Sequence, residues 1–301
     1  MPPADLFGIE GANVSRTYAN LRTPRSDTTS NIRRYVEALW RTYEPYAEPD
    51  FVGQFSTNIA QRYWEMYLAC SLLDLGFDLA PNRGKAARPD IKATKNNKVV
   101  WFEAIAPTPG NPGGADAVPE RAGGFVVADV PVEQIIMRYT AAIAEKKRKY
   151  DEYEAKGVIG PDEACLIAVS GGAIWQSQSG VLPYILSAVL PIGDMYVTIP
   201  KRSGGVTDTG FHYRPAVTKK SGVEVSSDVF FQDDFRSISG VVFSEWSIGN
   251  SPDKLGSDLL TIHNPRTTRP FDRGAIERGI EYWVIEQETE FRLEKLNYEK
   301  A

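Results

Sequence analysis

The chain has 301 residues, is 42% hydrophobic, and sets 34 Lys+Arg against 39 Asp+Glu for a formal charge of −5. This is the make-up of an ordinary soluble globular protein, with apolar material for a sizeable core in one large domain or two small ones. It excludes a chain disordered throughout and a protein that coats nucleic acid by charge alone; the longest apolar stretch, 181–192, is too short for a membrane span and carries Pro183 and Pro191.

Residues 1–28 are rich in Pro, Ser, Thr, Asn and Arg without sustained periodicity, and read as a flexible or loosely docked arm. A first helix is expected over 31–43, with the stripe Ile32, Tyr35, Val36, Leu39, Trp40 and Tyr43, stopped by Pro45. A second is expected over 58–75, capped by Ser56 and ended by Gly76. Its two apolar stripes imply burial over much of its circumference, and Glu65 sits on one of them, where a carboxylate is costly unless paired.

A polar, basic loop over 82–88 leads to two strand-like runs, 89–94 and 98–106. Asn96-Asn97 between them suits a tight hairpin turn, because asparagine tolerates positive φ. Residues 107–131 are crowded with Gly and Pro and form a long loop, whose segment Gly110–Gly124 has a weak claim to cradle a phosphate. A third helix over 132–156 follows Pro131 and ends near Gly157. Beyond it come a buried strand at 163–170, a short helix at 183–189 and a strand at 195–199. Further strand-like runs follow at 211–217, 239–244, 259–263 and 279–291. The expected organisation is a flexible arm over 1–28, an α/β core over 29–202, and a β-rich region over 203–301 packed on that core, in one composite domain or two.

Several chemistries are absent from the sequence. It has no G-x-G, no GxxxxGK[ST], no GxSxG, no HExxH and no CxxC. With only two Cys and two His, a structural zinc site is not expected. Cys70 and Cys165 each lie in an apolar stretch and read as buried thiols in a reducing compartment; with no secretion signal visible, a cytoplasmic location is expected.

The informative segment is Arg88-Pro89-Asp90-Ile91-Lys92, followed by Val100-Trp101-Phe102-Glu103-Ala104-Ile105. A two-residue turn at Asn96-Asn97 sets Asp90 directly opposite Glu103, where facing like charges repel. A divalent cation between them removes that penalty, since Mg²⁺ is commonly held by one or two carboxylates, with water and phosphate in its other positions. The competing reading is a surface hairpin whose acids happen to face each other.

A helix glutamate, then Pro-Asp, then a hairpin to a second acid resembles the PD-(D/E)XK, or restriction-endonuclease-like, nuclease superfamily over about residues 57–170. The resemblance implies a core of helix, central mixed sheet and helix, and a Mg²⁺- or Mn²⁺-dependent hydrolase that cuts phosphodiester bonds in DNA or RNA. Asp90 and Glu103 match the metal-binding acids and Glu65 the upstream helix acid. The usual lysine two residues after the second acid is Ile105 here.

The superfamily is known to move that lysine to a neighbouring helix. At 100° per residue, Lys146 falls on the third helix's stripe of Tyr139, Ile143 and Tyr150, while Lys147, Arg148 and Lys149 rotate away from its centre. Lys146 is therefore the expected water-positioning cation, against the alternative that it snorkels to the rim. Arg88, Lys92 and Arg138 are candidate substrate contacts, Arg88 as a phosphate clamp. Gln134 lies one turn from Arg138 and Trp101 shares the carboxylate face, while His263 and His212 have weaker claims to chemistry. Two alternatives stand beside the nuclease: a catalytically inactive fold that binds nucleic acid or protein, and a structural protein whose acids only form salt bridges.

Overall fold

The computed structural model describes residues 4–82, 87–119, 129–174, 180–201, 204–250, 252–288 and 290–300. Expectations that fall partly outside them include the basic loop at 83–86 and the Gly-rich loop at 120–128. The protein is a mixed α/β structure built on an eight-stranded sheet with helices on both faces.

One face is covered by α1 (Arg16–Arg22), α2 (Asp27–Tyr43), α3 (Phe51–Thr57) and α4 (Ile59–Asp74). Helix α2 starts earlier than its apolar stripe because Ser26 and Thr29 form a capping box, and a 3₁₀ turn at Glu44–Tyr46 takes over where Pro45 halts it. Ser56 does not cap α4. It lies inside α3 and donates to the Gly53 carbonyl, and Asn58 is the N-cap without a side-chain bond. Gly76 ends the helix in the left-handed region, at φ 77°.

The flexible arm is corrected. Leu6, Phe7, Tyr18 and Leu21 are buried, and Tyr18 and Phe7 pack their rings against Phe55. Too few apolar positions occur in this segment to set up a period, yet each of these fills the core over α3.

The sheet begins with β1 (Asp78–Ala80), β2 (Ile91–Lys95) and β3 (Lys98–Ile105), which are antiparallel in sequence. Asn96 and Asn97 take φ of 52° and 60°, the two left-handed residues that a primed hairpin turn needs. That turn fixes the ladder from Lys95↔Lys98 to Ile91↔Phe102, as the sequence predicts. Helix α5 (Val132–Ala155) then crosses the second face and returns the chain to β4 (Ala164–Ser170), parallel to β3. Covered on both faces, β4 is buried at every residue.

After α6 (Leu186–Val189), β5 (Ile192–Thr198) and β6 (Asp208–Tyr213) form one small sheet, and β7 (Ala216–Thr218) and β8 (Glu224–Ser226) another. The run expected at 211–217 is thus two strands, broken at Pro215. Then β9 (Gly240–Ser244) joins the main sheet parallel to β4, β10 (Leu260–His263) pairs antiparallel with β9, β11 (Ile280–Glu286) lies parallel to β10, and β12 (Phe291–Asn297) closes the edge. The expected run at 279–291 is one strand and the turn into the next.

The sheet order is β1-β2-β3-β4-β9-β10-β11-β12. Even-numbered residues of β3, such as Phe102 and Ala104, face the α1–α4 core. Trp101, with Ile167 of β4 and Phe243 of β9, faces α5 and α6. Cys70 and Cys165 are free and buried, as expected. Among the described residues no helix is long and apolar enough to cross a membrane.

Candidate functional site

Strand β2 starts at Ile91, so β3 runs past it towards Ile105 and leaves backbone groups at its outer edge. Side chains fill the gap. The Ala104 N–H donates to Asp90 Oδ2 at 2.7 Å, the Ala106 N–H donates to Gln61 Oε1 at 2.8 Å, and Gln61 Nε2 donates to the Ala104 carbonyl at 3.0 Å. These bonds satisfy the edge of a half-buried strand end and pin both α4 and Asp90 beside Glu103.

Asp90 and Glu103 share the α5 face, as expected. The Asp90 backbone N–H reaches Glu103 Oε2 at 3.2 Å. Glu103 is fully buried, whereas Asp90 keeps 20% of its side chain exposed. Lys146 projects from α5 onto the pair, its Nζ 2.9 Å from Glu103 Oε1 and 3.9 Å from Asp90 Oδ2. Its stripe neighbours Tyr139, Ile143 and Tyr150 are buried, and the Tyr150 hydroxyl donates to the carbonyls of Trp101 and Leu166, fixing the helix over β3 and β4.

Lys149 was not expected here. Its Nζ lies 3.0 Å from the same Glu103 oxygen, while its side chain stays 41% exposed. Helical geometry rotates it about 60° from Lys146, but a four-carbon stem reaches back across that angle. Burial lowers the Lys149 pKa; the Glu103 carboxylate beside it outweighs this and holds the ammonium above its ordinary range.

Glu65 is buried on the opposite helix layer and comes close, without joining the pair. Arg62, one turn away, binds Glu65 Oε2, and Gln61 donates to Oε1 at 2.9 Å. Among the described residues, no group of three or more His, Cys, Asp or Glu assembles to hold a metal ion. The structure therefore does not bring Glu65 together with Asp90 and Glu103 as a three-acid set. The cause is local, since a buried carboxylate takes the nearest cation on its own helix.

The Glu65 field is still felt at Asp90. Burial first, then the Glu103 and Glu65 carboxylates, push the Asp90 carboxyl well above its usual range, against Lys146 and the Ala104 N–H. Burial likewise raises Glu65, opposed by Arg62 and Gln61.

The other candidates divide. Lys92 lies on the site face, with Nζ 4.8 Å from the Trp101 ring centroid. Trp101 itself is buried and donates its indole N–H to Glu163. Arg88 donates to Asn82 Oδ1 at 2.9 Å and to the Pro81 carbonyl at 2.7 Å. Arg138 donates to the Thr108 carbonyl at 2.8 Å and so holds the start of the Gly-rich loop.

His263 bonds Glu281 Oε1 at 2.7 Å and stacks on Phe271, far along the sheet from Asp90. The His212 ring packs on Tyr196. A cleft of about 710 Å³ bordered by Lys95, Asn97, Arg269 and Phe271 lies at the turn end of the hairpin, the end away from the acids.

Comparison of the chain with protein-family models, with curated proteins and with solved structures found no match.

Proposed function

We propose that the protein is a Mg²⁺- or Mn²⁺-dependent nuclease with a restriction-endonuclease-like core, acting on phosphodiester bonds of DNA or RNA. The observation that carries this reading is the convergence of Lys146 on Asp90 and Glu103 from an element distant in sequence, a cation beside the acids where the sequence has Ile105 in the usual lysine position. The arrangement of α4, the β1–β4 part of the sheet and α5 supports the same core. Two facing carboxylates fit a hard, oxygen-seeking ion, which Mg²⁺ contacts through one or two acids while keeping water and phosphate oxygens.

Asp90 and Glu103 would hold that ion, which when bound lowers the pKa of its water and offsets charge on the phosphate. The chain's own residues do the positioning. The Ala104 N–H fixes the Asp90 carboxylate, Lys146 holds Glu103 Oε1 and aims a donor into the site, and Gln61 braces the strand end. Lys92, on the half-buried β2 side of the same face, suits a phosphate oxygen of the substrate.

The test is Mg²⁺-dependent cleavage of DNA and RNA by wild type, Glu103→Gln and Lys146→Met, alongside a Mg²⁺ titration of thermal stability. Cleavage and a Mg²⁺-dependent rise in Tm that both vanish in Glu103→Gln support the reading. A second reading, a binding module without turnover, draws on the full burial of Glu103 and the engagement of both its oxygens. Nucleic-acid or protein binding that persists with no Mg²⁺ effect selects it.

A further inference from the structure

Two lysines meet one buried carboxylate oxygen, and they differ in one respect that matters. Lys146 is enclosed, with 6% of its side chain exposed, while Lys149 is 41% exposed and a single turn further along α5. Around the site the acids are set against nearby cations, with Glu48 a further acid beside Arg62. Asp90, Glu103 and Glu65 face Lys146, Lys149 and Arg62.

A divalent ion on Asp90 and Glu103 adds two positive charges to that arrangement. The cation most easily given up is the one with the least desolvation to recover, and that is Lys149. Arg62 stays with Glu65, and Lys146 has apolar and aromatic neighbours along its stripe and no comparable route to water. On the same sheet face Lys92 lies over Trp101, and β2 there is half-buried rather than sealed.

We infer that Lys149 is an exchangeable counter-ion of Glu103: it neutralises the acid pair in the metal-free protein, and on metal binding it transfers to a phosphate oxygen of the nucleic-acid substrate. Lys146 then remains as the fixed cation and Lys149 becomes a substrate contact. No bond is made or broken in this exchange. The inference rests on the nuclease reading and goes beyond it by separating the work of the two lysines.

The experiment pairs a binding measurement with a metal measurement on the full chain. Mn²⁺ affinity is measured by isothermal titration for wild type, Lys149→Met, Lys149→Gln and Lys149→Arg. Affinity for a labelled DNA duplex and for an RNA of the same sequence is measured by anisotropy with Ca²⁺ in place of Mg²⁺. Circular dichroism checks that each variant is folded.

Losing a competing cation tightens Mn²⁺ binding in Lys149→Met and Lys149→Gln, while the lost charge-assisted phosphate contact weakens oligonucleotide binding by about tenfold or more. Lys149→Arg restores oligonucleotide affinity. Whichever of DNA or RNA loses affinity identifies the substrate backbone. Wild type that binds Mn²⁺ and cleaves, with Lys149→Met and Lys149→Gln unchanged in both affinities, overturns the inference and leaves the nuclease standing. Weaker Mn²⁺ binding in those two variants also overturns it. A wild type that binds no divalent ion overturns the inference together with the nuclease reading.

Discussion

Asp90 does two jobs through one oxygen. Its carboxylate adds charge beside Glu103, and its Oδ2 accepts the Ala104 N–H that β2 leaves unpaired. Substitutions separate these roles. Asp90→Asn keeps an acceptor and removes the repulsion, so metal-free stability should hold or rise. Asp90→Ala also relieves repulsion but orphans the Ala104 N–H, which costs about 1–3 kcal/mol. Urea melts without metal should therefore rank Asn at or above wild type and Ala below Asn, and both should lose Mg²⁺-dependent turnover. Equal stability of the two variants would mean that the Ala104 bond contributes nothing.

A second residue, outside the acid pair, gives a pH signature. Burial raises the Glu245 carboxyl to about 7. Between its ordinary value, 4.5, and about 7 the folded state therefore binds the extra proton. Stability attributable to this group is highest below that window, falls as pH rises through it, and is flat above. Glu245→Gln should abolish the slope and make the protein more stable than wild type at pH 8. Denaturation at pH 5 and pH 8 checks it, and an unchanged difference between the two pH values would refute it.

At the scale of elements, the site was legible where a strong local period met a strong punctuator. Asn96-Asn97 fixed the hairpin register, and the 3.6-residue stripe of α5 turned Lys146 inward. Lys149 was missed because angular reading ignores the reach of a long side chain. Gln61 was missed because its partners, Ala104 and Ala106, depend on where β2 stops, which no local signal marks. It was still detectable in principle, standing one turn before Glu65 on the same face.

The same geometry makes a prediction about Ile105. Two residues after Glu103, it shares that residue's face. Lys146→Met should leave the fold intact and depress turnover, and adding Ile105→Lys to it should restore a measurable part. Lys147→Met is the control. Lys147 pairs with Asp151 and lies 5.9 Å from the Phe235 ring, so its loss should affect stability slightly and turnover not at all. Identical kinetics for Lys146→Met and Lys147→Met would dismiss Lys146 from the chemistry.

Across the whole molecule, the placement of the C-terminal strands is what the sequence could not disclose. The period of β9 marks a buried strand, but nothing local says that it inserts beside β4 rather than forming a sheet of its own, because parallel neighbours are joined by long connections. Once inserted, β9 is structural to the site's own sheet. It pairs with Leu166–Ser170 of β4, and the Ser239 hydroxyl accepts the Cys165 N–H at 2.8 Å. Removing residues 203–301 would expose that edge and strip Val241, Val242 and Phe243 from the core. Burial of each such side chain is worth about 1.5–3 kcal/mol, and a domain of this kind has only about 5–15 kcal/mol in total. A fragment of residues 1–202 should therefore be insoluble or lack fixed tertiary packing, measured as soluble yield and near-UV circular dichroism. A soluble fragment with a native-like near-UV spectrum and Mg²⁺-dependent turnover would show instead that β1–β4 with α4 and α5 stand alone, and that the β-rich region is an addition to a self-sufficient core.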